Sequence, residues 1–506
     1  MKMLISSTLG VVSRLVPLHL IAFSLILLAA CGGETVSDAR QEQAQPQIYP
    51  DYLGVTIPAN IAPLNFCMAD EDALLIDAVI TDSHGNELHS QGEESTGFDL
   101  GDWQALLSQN RGDSLSVTVS AKYGDGWHTY RPFPVYVSAD SIDYGICYRL
   151  IAPGHEVWSK MGIYERDLSS FDERALIENT QFEGCVNCHS FNRGDPANMS
   201  LHIRGKHGAT LLSKADGSIT AYNTKTPQTL GLCVYPYWHP SGRYIAYSSN
   251  KTSQLFHSAD RNRIEVFDEA SDLQVYDVEK NELLLSPLLK QESVYETYPV
   301  FSADGRSIYF CAARAIPDTP QHLDSLHYNL CRIDFDPATG RFGNRIDTIV
   351  DAAAQHKSVS FPRPSYDGRF LCYTLSDYGQ FSIWHHEADL WLLDLSTQKS
   401  RPMTEANSGD TESFHNWSTN SRWLVFSSRR DDGLYTRPYF CHVDAAGRVA
   451  KPFMLPQRSP RRFYRDRFLS FNVPDFITGP SQFDSRKASR AINADHREDF
   501  GVRQTP

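Results

Sequence analysis

Val300-Phe301-Ser302-Ala303-Asp304-Gly305-Arg306-Ser307-Ile308-Tyr309-Phe310 reads as an aromatic, a polar turn and an alternating strand closed by a second aromatic. The pattern stands three more times without gaps: Tyr237 to Tyr247, Arg363 to Tyr373 and Asn416 to Phe426. Gly242, Gly305 and Gly368 follow one another at intervals of 63 residues, and Ser421 follows after 53. An arginine leaves each turn (Arg243, Arg306, Arg369, Arg422), and each strand ends on Tyr247, Phe310, Tyr373 or Phe426. A second strand pair follows the first, as in Leu273–Val278 and Leu390–Leu395. A unit of this length is one four-stranded blade, and a blade buries both faces only inside a closed ring. The spacing predicts a β-propeller over residues 208–480 with about six blades. A weaker copy at Ala209–Thr224, around Asp216-Gly217, stands as the first blade, and 459–475 adds strands that close the ring.

These repeats resemble the TolB-like (PD40, WD40-like) propeller family, whose motif is an aromatic, Ser-Pro-Asp-Gly-Arg and an apolar strand. The resemblance covers roughly half the chain. Pro364 replaces the aromatic in one copy and Asn420-Ser421 replaces Asp-Gly in another. It implies a fold only, because such propellers serve as scaffolds, binding platforms and enzyme lids alike.

Of the 506 residues, 41% are apolar and 21% charged, a globular balance; the net charge of −14 argues against nucleic acid and anionic surfaces as partners. Lys2 and Arg14 precede an apolar run, Leu15 to Leu28, that ends in Leu28-Ala29-Ala30-Cys31. Small residues before a cysteine resemble a bacterial lipobox, so 1–30 reads as a signal peptide and Cys31 as the lipidated residue. The run is short for a membrane span. Residues 31–47 read as a flexible stalk. Residues 48–150 alternate with period two, as at Leu115, Val117, Val119 and Ala121, and read as a β-sandwich-like domain. Residues 481–506 read as a polar tail. The fold class is thus mainly β, interrupted at 151–207 by a short helical segment that Ser169 caps.

That segment carries the chemistry. Cys185-Val186-Asn187-Cys188-His189 is C-x-x-C-H, the attachment signal of c-type haem. Two thiols one helical turn apart reach the two vinyl groups of a porphyrin, and His189 then stands as proximal iron ligand. Downstream, His202 is the first candidate for the distal ligand and Met199 the second, with an open site as the third arrangement. Arg204 or Lys206 suits the propionates. Other readings of the motif are a structural disulfide, a thioredoxin-like redox pair, and a zinc site completed by His202 or His207. Seven further cysteines remain; Cys67 and Cys147 are the expected disulfide pair.

Ser382 to Asp389 groups His385, His386, Glu387 and Asp389, and His239, His356 and His415 fall near corresponding points of other blades; such positions can converge at a propeller's central channel, but scattered strand-end histidines, each satisfied locally, are the preferred reading. Arg429-Arg430-Asp431-Asp432 reads as a turn with a solvated ion pair. No G-x-S-x-G, P-loop or H-E-x-x-H is present. The expected protein is an exported, lipid-anchored monohaem c-type cytochrome in the bacterial cell envelope, facing the periplasm or held in the outer membrane. It would pass electrons to a redox partner protein, contact membrane only through its lipid, and take a small ligand in its channel. The alternatives are a haem oxidoreductase with an open iron and a non-redox envelope binding module.

Overall fold

Gly242, Gly305 and Gly368 all adopt left-handed backbone, with φ of +74°, +72° and +72°, and Ser421 takes the same conformation at +61°. The four repeated turns are therefore one structural position, as the alignment requires. Only glycine adopts that backbone without strain. A side chain at Gly305 would also strike His239, whose Nε2 lies 2.0 Å from the place of a Cβ.

A computed structural model describes residues 33–153 and 160–505. The signal peptide and Cys31 lie outside the described residues. Six four-stranded blades form a β-propeller, the first strand of each lying innermost. Blades 3 to 6 begin with Cys233–Trp238, Val294–Phe301, Ser358–Pro364 and Glu412–Trp417. Blade 2 begins with Cys185–Asn192 and includes Ala209–Ser213 and Ile219–Asn223 as its outer strands. Blade 1 takes three strands from the front of the chain, Gly145–Ile151, Met161–Asp167 and Glu173–Glu178, and its innermost from the back, Ser470–Ile477. Gly145 pairs with Ile477 and Ile151 with Ser470, antiparallel. Each inner strand packs on the next all the way round.

Several expectations need correcting. The propeller spans 145–477, wider than 208–480, because residues 151–207 are its first two blades and contain no α-helix among those described. Ser169 does not cap a helix: its N–H and hydroxyl both bond to Asp167 Oδ1, at 2.8 and 2.7 Å, in a turn between two strands. Cross-strand pairing overrides the local helical pattern here. The expected stalk is also ordered from residue 33. Arg40–Gln41 pairs in parallel with His128–Thr129, and the Glu34 carbonyl accepts from Gln91 Nε2 at 2.6 Å. The expected polar tail is likewise structured. After the helix Ser485–Asn493, Glu498–Asp499 and Gly501–Gln504 add parallel strands to the outer edges of blades 2 and 3.

The N-terminal domain is mainly β, as read. A mixed sheet centred on Ser114–Tyr123 packs on the helix Leu100–Gln109, and Trp103, 1% exposed, donates to the Ile61 carbonyl at 2.9 Å. Among the described residues no helix is long and apolar enough to cross a membrane. All nine described cysteines are free, Cys67 and Cys147 included. Those two stand in different apolar clusters, so the expected disulfide is absent.

Candidate functional site

Each inner strand breaks register at the same point. The ladder slips at Asn187/Ser190, Val234/Tyr237, Thr297/Val300, Ser360/Arg363 and Ser413/Asn416, and blade 1 slips where Cys147 and Arg149 meet its closing strand. The bulged residue is left-handed in all six blades: Cys188, Tyr235, Tyr298, Phe361, Phe414 and Val473, at φ of 45–52°. Non-glycine residues hold such backbone only where surrounding structure fixes it. Here a ring of six equivalent bulges does so. Tyr235, Tyr298, Phe361 and Phe414, from successive blades, then pack in tilted or edge-on contact round the ring, with ring centroids 4.5, 4.6 and 4.7 Å apart. Cys188 and Val473, adjacent in the ring, are its two small members.

The residue after each bulge is proline in four blades: Pro236, Pro299, Pro362 and Pro474. A bulge tolerates proline because it leaves an N–H out of the ladder. In the other two blades the residue is His189 or His415. The C-x-x-C-H motif is therefore the inner strand of blade 2, and Cys188-His189 is the counterpart of Phe414-His415. Of His239, His356 and His415, only His415 borders the channel. His239 is satisfied locally by the Gly305 carbonyl at a turn, and His356 lies edge-on to His327.

Around the motif several groups lack partners. His189 is 3% exposed, and its ring nitrogens make no hydrogen bond of good geometry, the Cys147 backbone being the polar group beside the ring. Burial pushes its pKa down to about 4, so it is the neutral, ligating form. Arg149, from blade 1, is buried beside both thiols and Arg204; its Nη1 donates to the Asn187 side chain and its Nε has no partner. Among the described residues neither Arg149 nor Arg204 has a carboxylate in ion-pair range. Lys206 is taken by Glu183 at 3.7 Å. Cys185 pairs with Arg204 and Asn187 with His202 across the hairpin. His202 and Met199 point to opposite faces of their strand. Met199 packs in the apolar cluster with Leu201 and Ile203, whereas His202 shares the face of Ser200, whose hydroxyl lies 2.8 Å from Tyr247 of blade 3. Burial drives His202 down to about 3, and its Nδ1 is without a partner.

In kind these donors suit haem c: two free thiols, a neutral imidazole, a second one nearby, and Arg204 for a propionate. In reach they suit it only if residues 185–189 shorten, because four residues span about 13 Å in a strand and about 6 Å in a helix. The groove of about 810 Å³ past Phe182, Gly184, Gly205 and His207 is lined by none of Cys185, Cys188 and His189. The channel, which His189 borders, holds a cavity of only about 30 Å³ and is not a place for the macrocycle. Among the described residues no three His, Cys, Asp or Glu groups converge to hold a metal ion, which removes the support for zinc.

No family profile matches the sequence, and no curated protein matches it. Among solved structures, the chain is similar to a DUF4784 family protein from Bacteroides caccae, at 7% identity over 70% of this chain and 94% of that one, with a TM-score of 0.29. It is also similar to the tricorn protease, at 13% identity over 68% of this chain and 34% of that one, TM-score 0.34. A prolyl endopeptidase matches at 12% identity over 62% and 42%, TM-score 0.35.

A second cluster lies across the channel's other end. The long hairpin of blade 3, Tyr244–Phe256 and Ile264–Asp277, reaches over to the 377–388 loop of blade 5. His385, 1% exposed, lies 2.8 Å from Glu265 and 3.2 Å from Glu387, and Tyr378 donates to Glu265 at 2.7 Å. His386 lies 2.9 Å from Asp410 and bonds the Arg261 carbonyl. Burial alone would lower the His385 pKa; the Glu265 and Glu387 carboxylates outweigh it and hold it at about 9. A histidine pKa raised on folding adds stability that is complete below about 6.5 and lost as pH rises through about 9. We expect the strap's amides to exchange faster above pH 9, by on the order of 3 kcal/mol of protection. His385→Gln should show fast exchange already at pH 7, measured by hydrogen–deuterium exchange mass spectrometry.

The expected solvated Arg429-Arg430 turn is instead buried. Arg429 is 2% exposed, donates to the Ile383 carbonyl at 2.7 Å and lies 3.5 Å over the Trp384 ring. Arg430 pairs with the buried Glu412 at 3.0 Å. The residues that sequence reading missed are Arg149 and the channel residues Arg193, Arg363 and Asp475. Aligning the inner strands on aromatic-Pro as well as on the turns would have exposed the bulge positions.

Proposed function

We propose that the chain is a lipid-anchored envelope protein in which a TolB-like propeller carries one covalent haem c and passes electrons. The observation that carries the reading is His189, a buried neutral imidazole in one strand with two free thiols. Cys185 and Cys188 would hold the porphyrin, His189 would bind its iron, and His202 is the better distal candidate because its Nδ1 is free while Met199 is packed. Arg204 would meet a propionate. When bound, the iron supplies one-electron redox chemistry. Lipid on Cys31 would tether the protein to the membrane.

The test is intact mass and a reduced pyridine haemochrome spectrum of protein matured in a host with haem-ligation machinery. The expected outcome is one added haem mass, and two fewer reactive thiols in denaturant than the nine that remain of ten once Cys31 is lipidated. Cys185→Ala/Cys188→Ala should lose the pigment, and Cys31→Ala should leave the membrane fraction. Colourless protein with nine thiols would end the haem reading.

A second reading has an observation of its own. Cys188-His189 occupies the repeat position of Phe414-His415, so the motif is accounted for by the propeller alone. The protein is then a non-redox binding module of the envelope.

A further inference from the structure

We propose that the propeller channel is a binding site for a small organic carboxylate, held by Arg193 and Arg363. This goes beyond the haem reading and does not rest on it. Above, the aromatic collar of Phe361, Phe414 and their neighbours seals the axis; below, the cavity opens past Arg193, Tyr237, Arg363 and Tyr366. Arg193 lies 4.9 Å over the Tyr366 ring and Arg363 lies 5.5 Å over the Tyr237 ring. Stacking on a ring leaves the in-plane N–H donors free, the geometry that suits a carboxylate bidentately. Of those donors only Arg363 Nη1 is used, on the Pro362 carbonyl at 2.9 Å. Among the described residues neither guanidinium forms an ion pair.

The carboxylates nearby do not fill the role. Asp475 is tied on both oxygens, to Asn416 Nδ2 at 2.6 Å and to the Phe191 N–H at 2.8 Å. Asp143 is tied on both oxygens by Thr419. Arg193 is placed by its turn. At φ of +50° it precedes Gly194 at +75°, the tight turn of the blade 2 hairpin. The Gly194 carbonyl accepts from Thr478 N–H at 2.9 Å, which pins the turn to the closing strand of blade 1. The free volume of about 30 Å³ admits a carboxylate head, with its organic remainder between the tyrosines at the mouth.

The experiment is calorimetric titration of the full-length protein with succinate, acetate and inorganic phosphate, joined to mapping of phenylglyoxal-modified arginines. Succinate is expected to bind saturably and to protect Arg193 and Arg363 from modification. Arg193→Gln, at a surface turn, and Arg363→Gln should each weaken binding at least about tenfold. Asp475→Asn, which removes the competing charge, should strengthen it. Protein expressed without haem-ligation machinery should bind succinate equally, which separates this site from the fate of the haem. No saturable succinate binding, binding unchanged in Arg193→Gln, or binding of phosphate without succinate would overturn the proposal.

Discussion

A chain that stops at Leu469 should fail to close its ring. The segment it loses, Ser470–Ile477, is the innermost strand of blade 1, hydrogen-bonded in an antiparallel ladder to Gly145–Ile151 from the front of the chain. Phe471, Phe476 and Ile477 are all at most 1% exposed. Burying each is worth about 1.5–3 kcal/mol, which together approaches the whole stability of a typical domain. The ladder to Gly145–Ile151 goes too, along with the Asp475 bonds that reach Phe191 of blade 2 and Asn416 of blade 6. The truncated chain should lose its cooperative urea transition and elute as aggregate. A chain ending at Pro480 keeps the closing strand and gives up the helix Ser485–Asn493 and the edge strands on blades 2 and 3. It should keep a cooperative transition with a lower midpoint. An unchanged midpoint after truncation at 469 would mean that blade 1 is closed by something other than this strand.

Trp417→Ala should be the most damaging single change in blade 6. Its side chain is fully buried, and Nε1 donates to the Arg363 carbonyl of blade 5 at 3.0 Å. Trp238 makes the equivalent bond from blade 3 to the Ser190 carbonyl of blade 2, at 3.1 Å. The tryptophan is thus a bolt between blades at a fixed repeat position. Emptying it costs about 3–5 kcal/mol, to which the carbonyl left behind adds about 1 kcal/mol. Trp417→Phe keeps most of the volume and should cost about 1–2 kcal/mol. Urea midpoints at constant m separate the two. Equal losses for Ala and Phe would show that the hydrogen bond, not the packing, holds the blades together.

The turn residues made the propeller legible. Gly242, Gly305, Gly368 and Ser421 mark a position where the backbone is left-handed, and that demand is local, so it is written locally. The haem motif was legible as a string, but its surroundings were not. The reading of Ser169 as a helix cap failed because Asp167, two residues earlier, captures the same hydroxyl and N–H in a turn. Arg149 carried no signal, since a lone arginine in an apolar strand shows its isolation only when the strands around it are assembled.

By itself the sequence determined the blade unit, the approximate number of copies and the presence of two thiols and an imidazole at haem spacing, because each is fixed by residues within a few positions of one another. Only the tertiary structure decided that blade 1 is shared between the two ends of the chain, that the motif is an inner strand with its histidine at the axis, and that two unpaired guanidinium groups meet at the channel mouth. Those facts depend on ring closure. It joins Gly145 to Ile477 and Arg193 to Arg363, and its free energy comes from burying blade faces that no short stretch of chain can bury alone.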